Sequence, residues 1–357
     1  MFSTIIEFVL CSFCSKFEFN TLQLLSLTSK DVKDEIDKMR IPVRFRFNKV
    51  IKKMGFDIPL TITTRFKITN LDFTMSDITK EYFTKLLQLI SLCDALTNLN
   101  LRNNQIGSKR AKKLAAVLLA NRLTPEPPLE TVLKQCKLLT KLDLKNNKIG
   151  PEGIESLTAV LGECNGLTSL DLSENELGDT GIKCLVQVQA QAQAQALEQQ
   201  LYHYTSLKIL NLSENQISPL GIESFVPVLK KWGSLSHLNL SYNNIGPEGT
   251  ENLAQVLVSP QCVSLSHLNL SYNNIGFLGV KKLANVLPQC SSLTLLDLSI
   301  NRIGPNGAEE LATVLPQCKV LSRLFLDGNY IGKAGIKSLE RAISQCTALT
   351  YFYIKDY

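Results

Sequence analysis

The chain has 357 residues, too many for one compact core, and 45% of them are hydrophobic, 20% charged and 7% aromatic. That share of apolar side chains can offset the entropy lost on folding, which excludes a disordered polymer, a collagen and a bundle of membrane helices. The net charge of +6 (38 Lys+Arg against 32 Asp+Glu) resides in residues 30–67, with 11 basic and 5 acidic side chains, so a surface-wide nucleic-acid footprint is excluded.

Residues 1–62 are predicted to form a small, mainly helical region. The stretch 2–14 has no positive amino-terminal end and no clear cleavage site, so we expect no signal peptide. It is also shorter than the roughly 20 apolar residues that span a membrane. Two apolar helices are predicted, from IIEFVLCSF (5–13) and LQLLSLTSK (22–30). Cys11 and Cys14 form a lone CxxC pair, which is a weak signal for zinc or redox chemistry.

This pair of helices resembles the F-box, a helical motif of substrate adaptors in cullin-RING ubiquitin ligases. The alternative is an apolar cap that covers the first turn of a stacked fold. The F-box resemblance implies contacts with ubiquitin-ligase components through Ile6, Val9, Leu10, Leu24 and Leu25.

A repeat begins near residue 68 and continues to the last residue. In LSHLNLSYNNIGPEG (235–249), a first leucine is followed by leucines at +3 and +5, asparagine at +8, isoleucine at +10 and glycine at +14. An eighth copy begins at Leu96, and degenerate copies at Ile68 and Leu349 flank the array, which gives about ten units, most of them 28 residues long. The seven full units begin at Leu139, Leu167, Leu207, Leu235, Leu265, Leu293 and Leu321.

Each unit predicts a short strand, a loop and an amphipathic helix. The apolar positions +3 and +5 follow the two-residue period of a strand, and the Pro-x-Gly at +12 to +14 breaks it. Apolar positions +18 and +22 then restore a helical period. Because no unit can bury its apolar face alone, the units must stack, with a parallel sheet inside and the wider helices outside. The predicted fold is therefore an α/β solenoid over 63–357, a curved horseshoe with a concave parallel sheet and convex helices.

The motif LxxLxLxxNxIG…G is similar to the leucine-rich repeat, in the α/β class typified by ribonuclease inhibitor, over about four-fifths of the chain. The tandem array also resembles leucine-rich repeat effectors that intracellular bacteria deliver into host cells. In the repeat family the +8 asparagine hydrogen-bonds loop backbone between turns. The resemblance implies a structural ladder of Asn104, Asn147, Asn175, Asn215, Asn243, Asn273, Asn301 and Asn329.

Two spacings between units exceed 28 residues by more than ten, because segments are inserted near 119–133 and 186–199. The Gln-Ala run of the second insertion predicts a lengthened outer helix, since both residue types favour helix. A functional loop is the alternative.

Seven cysteines share the position three residues before the first leucine of a unit. One cysteine per turn is typical of a small apolar side chain that fills the corner between helix and strand. We therefore expect free, buried thiols and a reducing compartment, with disulfides between adjacent turns as the alternative. The seven are Cys93, Cys136, Cys164, Cys262, Cys290, Cys318 and Cys346.

The strand positions that point away from the core carry histidine, tyrosine and arginine, and exposed Tyr and Arg are typical of binding hot spots. His237 and His267 share the +2 position of adjacent units, so we expect neighbouring rings; without a carboxylate or thiolate they make a poor metal site. The alternative for Phe325, Tyr351 and Tyr353 is a cap on the last turn. The candidate partner-binding residues are His237, Asn239, Tyr242, His267, Asn269, Tyr272, Arg323, Phe325, Tyr330, Tyr351 and Tyr353.

The sequence carries no hydrolase or kinase motif, and in DGNYIGKAG (327–335) the glycines are one residue too close for a phosphate loop. We therefore predict a non-catalytic, monomeric protein-interaction scaffold in the cytoplasm, its own or a host's, without cofactor, metal, nucleic acid or membrane span. One alternative is an F-box-type substrate adaptor. Others are a GTPase-activating protein similar to the Ran GTPase-activating protein, using Arg102, and a ligand trap similar to ribonuclease inhibitor.

Overall fold

The computed structural model describes residues 43–46, 68–74, 95–120, 138–195, 206–260 and 264–355, with positions 83, 84, 86, 87, 90 and 93. In these residues, eleven short strands form one parallel sheet in which each strand pairs with the next along the chain. The strands are β1 (Val43–Arg46), β2 (Ile68–Asp72), β3 (Asn98–Asn100), β4 (Lys141–Asp143), β5 (Ser169–Asp171), β6 (Ile209–Asn211), β7 (His237–Asn239), β8 (His267–Asn269), β9 (Leu295–Asp297), β10 (Arg323–Phe325) and β11 (Tyr351–Tyr353).

In the described residues, one α-helix follows each strand from β3 to β10. We predicted that the strand-and-loop segment ends at +12 to +14. In the structure most of these helices begin slightly earlier, at the glycine in position +11. Short 3₁₀ turns at Leu287–Gln289 and Leu315–Gln317 follow two of the helices. The helices are α1 (Gly107–Ala120), α2 (Gly150–Glu163), α3 (Gly178–Gln195), α4 (Pro219–Leu229), α5 (Gly246–Leu257), α6 (Gly276–Ala284), α7 (Gly304–Val314) and α8 (Gly332–Ile343).

Two glycines in α7 show why the repeat keeps glycine at +11 and at +14. Gly304 begins the helix with a φ of +70°, which a residue with a side chain adopts only with strain. Gly307 has an ordinary helical backbone, but an added Cβ would press against Ile303 and against Val280 of the preceding unit. The first glycine therefore turns the chain, and the second lets adjacent helices approach.

One apolar core runs along the whole described array, between the sheet and the helices. Leu144, Ile149 and Leu157 of a single unit come from its strand end, loop and helix, and all three are 0% exposed. Adjacent helices pack against each other, as adjacent strands do. Because packed helices lie about 8–10 Å apart and paired strands about 4.8 Å apart, the stack curves with the strands on the concave side.

The +8 asparagines hold neighbouring units together through hydrogen bonds in the interior. Asn147 donates from Nδ2 to the carbonyls of Leu101 (2.8 Å) and Leu144 (2.9 Å). Its Oδ1 accepts from the backbone N–H groups of Asn104 (3.0 Å) and Ile106 (3.3 Å). All eight ladder asparagines donate to the +5 carbonyl of the preceding unit, and none is more than 8% exposed.

The sheet reaches into the segment 1–62, for which we predicted a separate helical region. Strand β1 is the described part of that segment, and it pairs in parallel with β2. The first strand therefore precedes the domain boundary that we placed at residue 63. The predicted helices, the CxxC pair and the F-box candidates Ile6, Val9, Leu10, Leu24 and Leu25 lie outside the described residues.

The second insertion extends a helix. Helix α3 has 18 residues, whereas the other α-helices have between 9 and 14, so the Gln-Ala run continues the helix as predicted. Residues 121–137 and 196–205 lie outside the described residues. No described helix combines the length and the apolar character that crossing a membrane requires.

The described cysteines are thiols and not disulfides. Cys93, Cys164, Cys290 and Cys318 are buried at the helix-to-strand corner, and Cys346 is half-buried. Burial, with a smaller contribution from Cys346, raises the pKa of Cys318 to about 11. These thiols therefore pack as apolar groups, as expected; Cys136 and Cys262 lie outside the described residues.

Candidate functional site

Strand pairing arranges the side chains that point away from the core in two rows across the sheet. Row +2 consists of Asn70, Asn98, Lys141, Ser169, Ile209, His237, His267, Leu295, Arg323 and Tyr351. Row +4 consists of Asp72, Asn100, Asp143, Asp171, Asn211, Asn239, Asn269, Asp297, Phe325 and Tyr353. The rows change along the solenoid from charged and amide side chains to imidazole, aliphatic and aromatic ones.

His237 and His267 are neighbours on the strand face, as the shared +2 position predicts. Their rings stack with centroids 4.0 Å apart and planes 16° apart. The Nδ1 atom of His237 lies 2.8 Å from Ser236 Oγ, and that of His267 lies 2.8 Å from Ser266 Oγ. Each ring thus contacts the serine that immediately precedes its strand.

Tyr242 and Tyr272 form a second stacked pair, in the loops that follow β7 and β8. The ring centroids are 3.9 Å apart, and the side chains are 47% and 38% exposed. A hydrogen bond between the two side chains, together with burial, raises the pKa of Tyr242 to about 12. We call His237, His267, Tyr242 and Tyr272 the ring patch.

Asn239 and Asn269, predicted as partner contacts, also shape the backbone. The Oδ1 atom of Asn239 accepts from the Ser241 N–H at 3.0 Å, and that of Asn269 accepts from the Ser271 N–H at 2.9 Å. Aspartates of row +4 do the same, as in the bond from the Lys145 N–H to Asp143 Oδ1 (3.0 Å). This turn-forming role follows from the Asp/Asn column at +4, which our sequence analysis did not interpret.

The last two strands carry the other predicted contacts. Arg323 is exposed, Tyr351 and Tyr353 are 49% and 42% exposed, and the rings of Phe325 and Tyr351 lie 5.5 Å apart at 46°. Tyr330 is 67% exposed but belongs to the loop after β10, not to the strand. The register Leu295, Arg323, Tyr351 makes this group continuous with the ring patch.

A row of hydroxyl groups at position +1 was missed in the sequence. In eight units the +1 side chain is Ser or Thr, and its hydroxyl donates to the +1 carbonyl of the preceding unit at 3.0–3.2 Å. The signal is a simple column of β-hydroxy residues. The eight are Thr97, Thr140, Thr168, Ser236, Ser266, Thr294, Ser322 and Thr350.

The amino-terminal half of the strand face is more charged. Burial raises the pKa of Asp143, and neighbouring Asp171 raises it further. Lys145 forms an ion pair with Glu174 at 2.6 Å. Arg102, the residue invoked for GTPase activation, is half-buried in the turn after β3. The described part of the chain contains no group of three or more His, Cys, Asp or Glu residues placed to hold a metal ion.

Two family models match the sequence, and both describe leucine-rich repeats. Residues 180–356 match the MHP1/HER1/GIP3 LRR domain, and residues 135–157 and 163–186 match the Leucine Rich repeat. A search of curated proteins yields no match.

Solved structures with similar shape include the leucine-rich repeat-containing protein LegL7 from Legionella pneumophila, which is 21% identical over 83% of this chain and 85% of its own, with a TM-score of 0.49. Leiomodin-1 Actin-Binding Site 2 is 20% identical over 35% of this chain and 70% of its own, with a TM-score of 0.31. The tropomodulin C-terminal domain from Caenorhabditis elegans is 12% identical over 54% of this chain and 92% of its own, with a TM-score of 0.34. All three TM-scores are below 0.5, so the assignment rests on the repeated motif, the parallel sheet and the two family models: the chain is a leucine-rich repeat protein.

Proposed function

We propose that this protein is a non-catalytic scaffold that binds a partner protein through the concave strand face, centred on the ring patch. Leucine-rich repeat domains are generally interaction modules and not enzymes, which supports the general assignment. The specific part of the proposal, the binding face, is supported by the side chains that the repeat itself does not need.

The observation that carries the proposal is the placement of Tyr242 and Tyr272 at position +7. The backbone there has φ values of 54° and 56°, a conformation that Asn or Gly adopts with less strain than an aromatic residue. Only these two units carry an aromatic residue there; the others described have Asn103, Asn146, Glu174, Glu214, Ile300 and Gly328. Two exposed tyrosines at a site that disfavours them contribute little to the fold, so we assign them to partner contact.

The chemistry of the face fits a protein partner. Stacked rings are rigid and amphipathic, so they provide contact area with little loss of side-chain entropy on binding. The ring patch continues through Leu295 to Arg323 and Tyr351, which places the residue types of binding hot spots on one continuous surface.

The test is affinity capture with the immobilised full chain, followed by quantitative mass spectrometry. We expect the captured partner to be lost with the double variant Tyr242→Asn/Tyr272→Asn. The matched control is Leu220→Ser/Leu278→Ser, which removes two apolar side chains from the helix face that are more exposed (64% and 61%) than the tyrosines. Loss of the partner with the helix-face variant, but not with the tyrosine variant, contradicts the proposal.

The F-box-type adaptor role is a second proposal, supported by the apolar helix pattern of residues 5–30. Its test is deletion of residues 1–42, which retains every described strand. If the adaptor role is correct, the deletion abolishes co-purification of cullin components from a eukaryotic lysate but retains the partner of the concave face. Unchanged recovery of cullin components refutes the adaptor role. A cytosolic location and delivery into a host cell are further proposals, which fractionation of cells expressing the tagged chain would test.

A further inference from the structure

A shallow depression of about 310 Å³ lies on the strand face between β5 and β9. Its lining is rich in hydrogen-bond acceptors, because amide side chains and the two stacked histidines meet there. Ile209 and Leu295 add apolar walls on either side of the histidines. Among the lining residues, all of them in the described part of the chain, the one carboxylate is Asp171, and none is a lysine or arginine.

The serine hydroxyls lie against one ring nitrogen of each histidine. Ser236 Oγ donates to the carbonyl of Lys208 (3.0 Å), and Ser266 Oγ donates to the carbonyl of Ser236 (3.1 Å). The Ser/Thr side chains at +1 in six other units donate to the preceding unit in the same way. With its hydrogen on the carbonyl, each serine oxygen accepts a hydrogen bond from the Nδ1–H of the adjacent histidine.

It follows that Nε2 carries the lone pair on both neutral rings. The rings of His237 and His267 are nearly parallel, with centroids 4.0 Å apart, and each Nδ1 contacts the preceding serine, so the two Nε2 acceptors point in the same direction. A single metal ion needs lone pairs that converge, which a face-to-face stack does not offer. A planar group with two adjacent N–H donors matches two parallel acceptors much better.

We propose that this depression is a subsite for an arginine side chain of the partner protein, with the guanidinium donating to Nε2 of His237 and His267. The inference rests on the proposed binding face and names the chemistry that the partner presents there. Ile209 and Leu295 contact the aliphatic stem, and Asp171 supplies the opposite charge. Lysine suits the site less, because its ammonium is a point charge without the planar pair of donors.

Protonation of the histidines abolishes the site, because an imidazolium ring has no acceptor and repels a guanidinium. Arg323 on β10 acts on His267; Asp171 on β5 lines the depression, and Asp297 on β9 pairs in register with Asn269. Burial and repulsion by His237 and Arg323 lower the pKa of His267 below 6.5, so the acceptor form is retained at neutral pH.

The first test needs no partner. Two-bond ¹H–¹⁵N correlation spectra of the histidine rings in the ¹⁵N-labelled chain report which ring nitrogen carries the proton. His237→Gln and His267→Gln assign the two signals among the chain's three histidines. We expect protonated Nδ1 and unprotonated Nε2 at pH 7.5. A protonated Nε2 on either ring overturns the inference.

The second test titrates the wild-type chain with acetyl-Gly-Arg-Gly-amide, and with the lysine and citrulline analogues as matched controls. We expect the arginine peptide to shift both Nε2 resonances, and the controls to bind about tenfold more weakly, as the loss of one charge-assisted hydrogen bond implies. Lowering the pH through the folded pKa of His267, which lies below 6.5, should abolish the response. Equal responses to the three peptides, or no response to arginine at its solubility limit, overturn the subsite.

These outcomes are distinct from those of the capture experiment. If the arginine peptide does not shift the Nε2 resonances while partner capture still depends on Tyr242 and Tyr272, the subsite is wrong and the proposed face stands. If the peptide binds but capture does not depend on the tyrosines, the subsite stands and the assignment of Tyr242 and Tyr272 to partner contact is wrong.

Discussion

Asn147 Oδ1 accepts a hydrogen bond from the backbone N–H of Asn104, 43 residues earlier in the chain, at 3.0 Å. The equivalent bond between Asn147 and Asn175 spans 28 residues and has a length of 3.1 Å. An insertion of 15 residues between two units therefore leaves the ladder geometry unchanged. The ladder, and not the spacing along the chain, sets how successive units stack.

Replacing a ladder asparagine should destabilise the whole array. Asn175→Ala leaves the carbonyl of Leu144 and the N–H groups of Asn147 and Ile149 without their side-chain partner in the interior. Because an unsatisfied buried polar group costs about 1–3 kcal/mol, we expect a loss on the order of 3 kcal/mol, measured by urea unfolding. The matched control Asn306→Ala, on the exposed side of α7, should change stability by less than about 0.5 kcal/mol. Equal losses for the two variants would show that the ladder does not stabilise the stack.

The ring-patch tyrosines should be dispensable for folding. Asn tolerates the positive φ of position 242 better than Tyr does, so Tyr242→Asn should leave the unfolding midpoint unchanged or raise it slightly. By contrast, Leu268→Ala, which empties a core position that is 1% exposed, should cost about 2–5 kcal/mol. The measurement is thermal unfolding followed by circular dichroism. A large loss with Tyr242→Asn would mean that the tyrosine stack is part of the fold.

The corner cysteines should react slowly with thiol reagents. The thiolate is the reactive form, and burial raises the pKa of Cys318 to about 11 and also raises that of Cys346. At pH 7.5 we expect Cys318 in the folded chain to be alkylated by iodoacetamide at least about tenfold more slowly than in urea. Peptide mass spectrometry reads out each site, and half-buried Cys346 is expected to react before Cys318. Rapid labelling of Cys318 under native conditions would contradict the buried-thiol assignment.

Acidification should weaken the fold through His267. Burial, and then repulsion by His237 and Arg323, lowers its pKa below 6.5 in the folded chain, so the unfolded chain takes up the proton first. Because the unfolded state then binds more protons, the contribution of the neutral ring to stability is complete above pH 6.5 and is lost as the pH falls through 6.5 towards the lower folded pKa.

This pH dependence can be measured by urea unfolding between pH 7.5 and 5, comparing the wild-type chain with His267→Gln. The wild-type chain should lose more stability over that interval, and His237→Gln should raise the pKa of His267 by removing one repulsive neighbour. Identical slopes for the wild-type chain and His267→Gln would show that the ring is not perturbed by its surroundings.

Much of the fold could be predicted because the repeat specifies it many times over. The spacing of Leu142 and Leu144 indicates a strand with one apolar side, and the same spacing in neighbouring units leaves stacking as the way to bury it. The adjacency of His237 and His267 followed from the same register. The sequence did not reveal that the sheet includes Val43–Arg46, since that segment lacks the leucine frame.

The sequence by itself determined which side chains face the core, which face the concave surface and which are neighbours in successive units, because period and register are properties of the pattern. Only the tertiary structure decided what those neighbours do. The His237 and His267 rings stack, and each serine hydroxyl donates to a carbonyl of the preceding unit. Both contacts depend on distances of about 3–4 Å between side chains or atoms of adjacent units. Hydrogen bonds and ring contacts change over fractions of an ångström, whereas a residue pattern specifies only the side of the sheet.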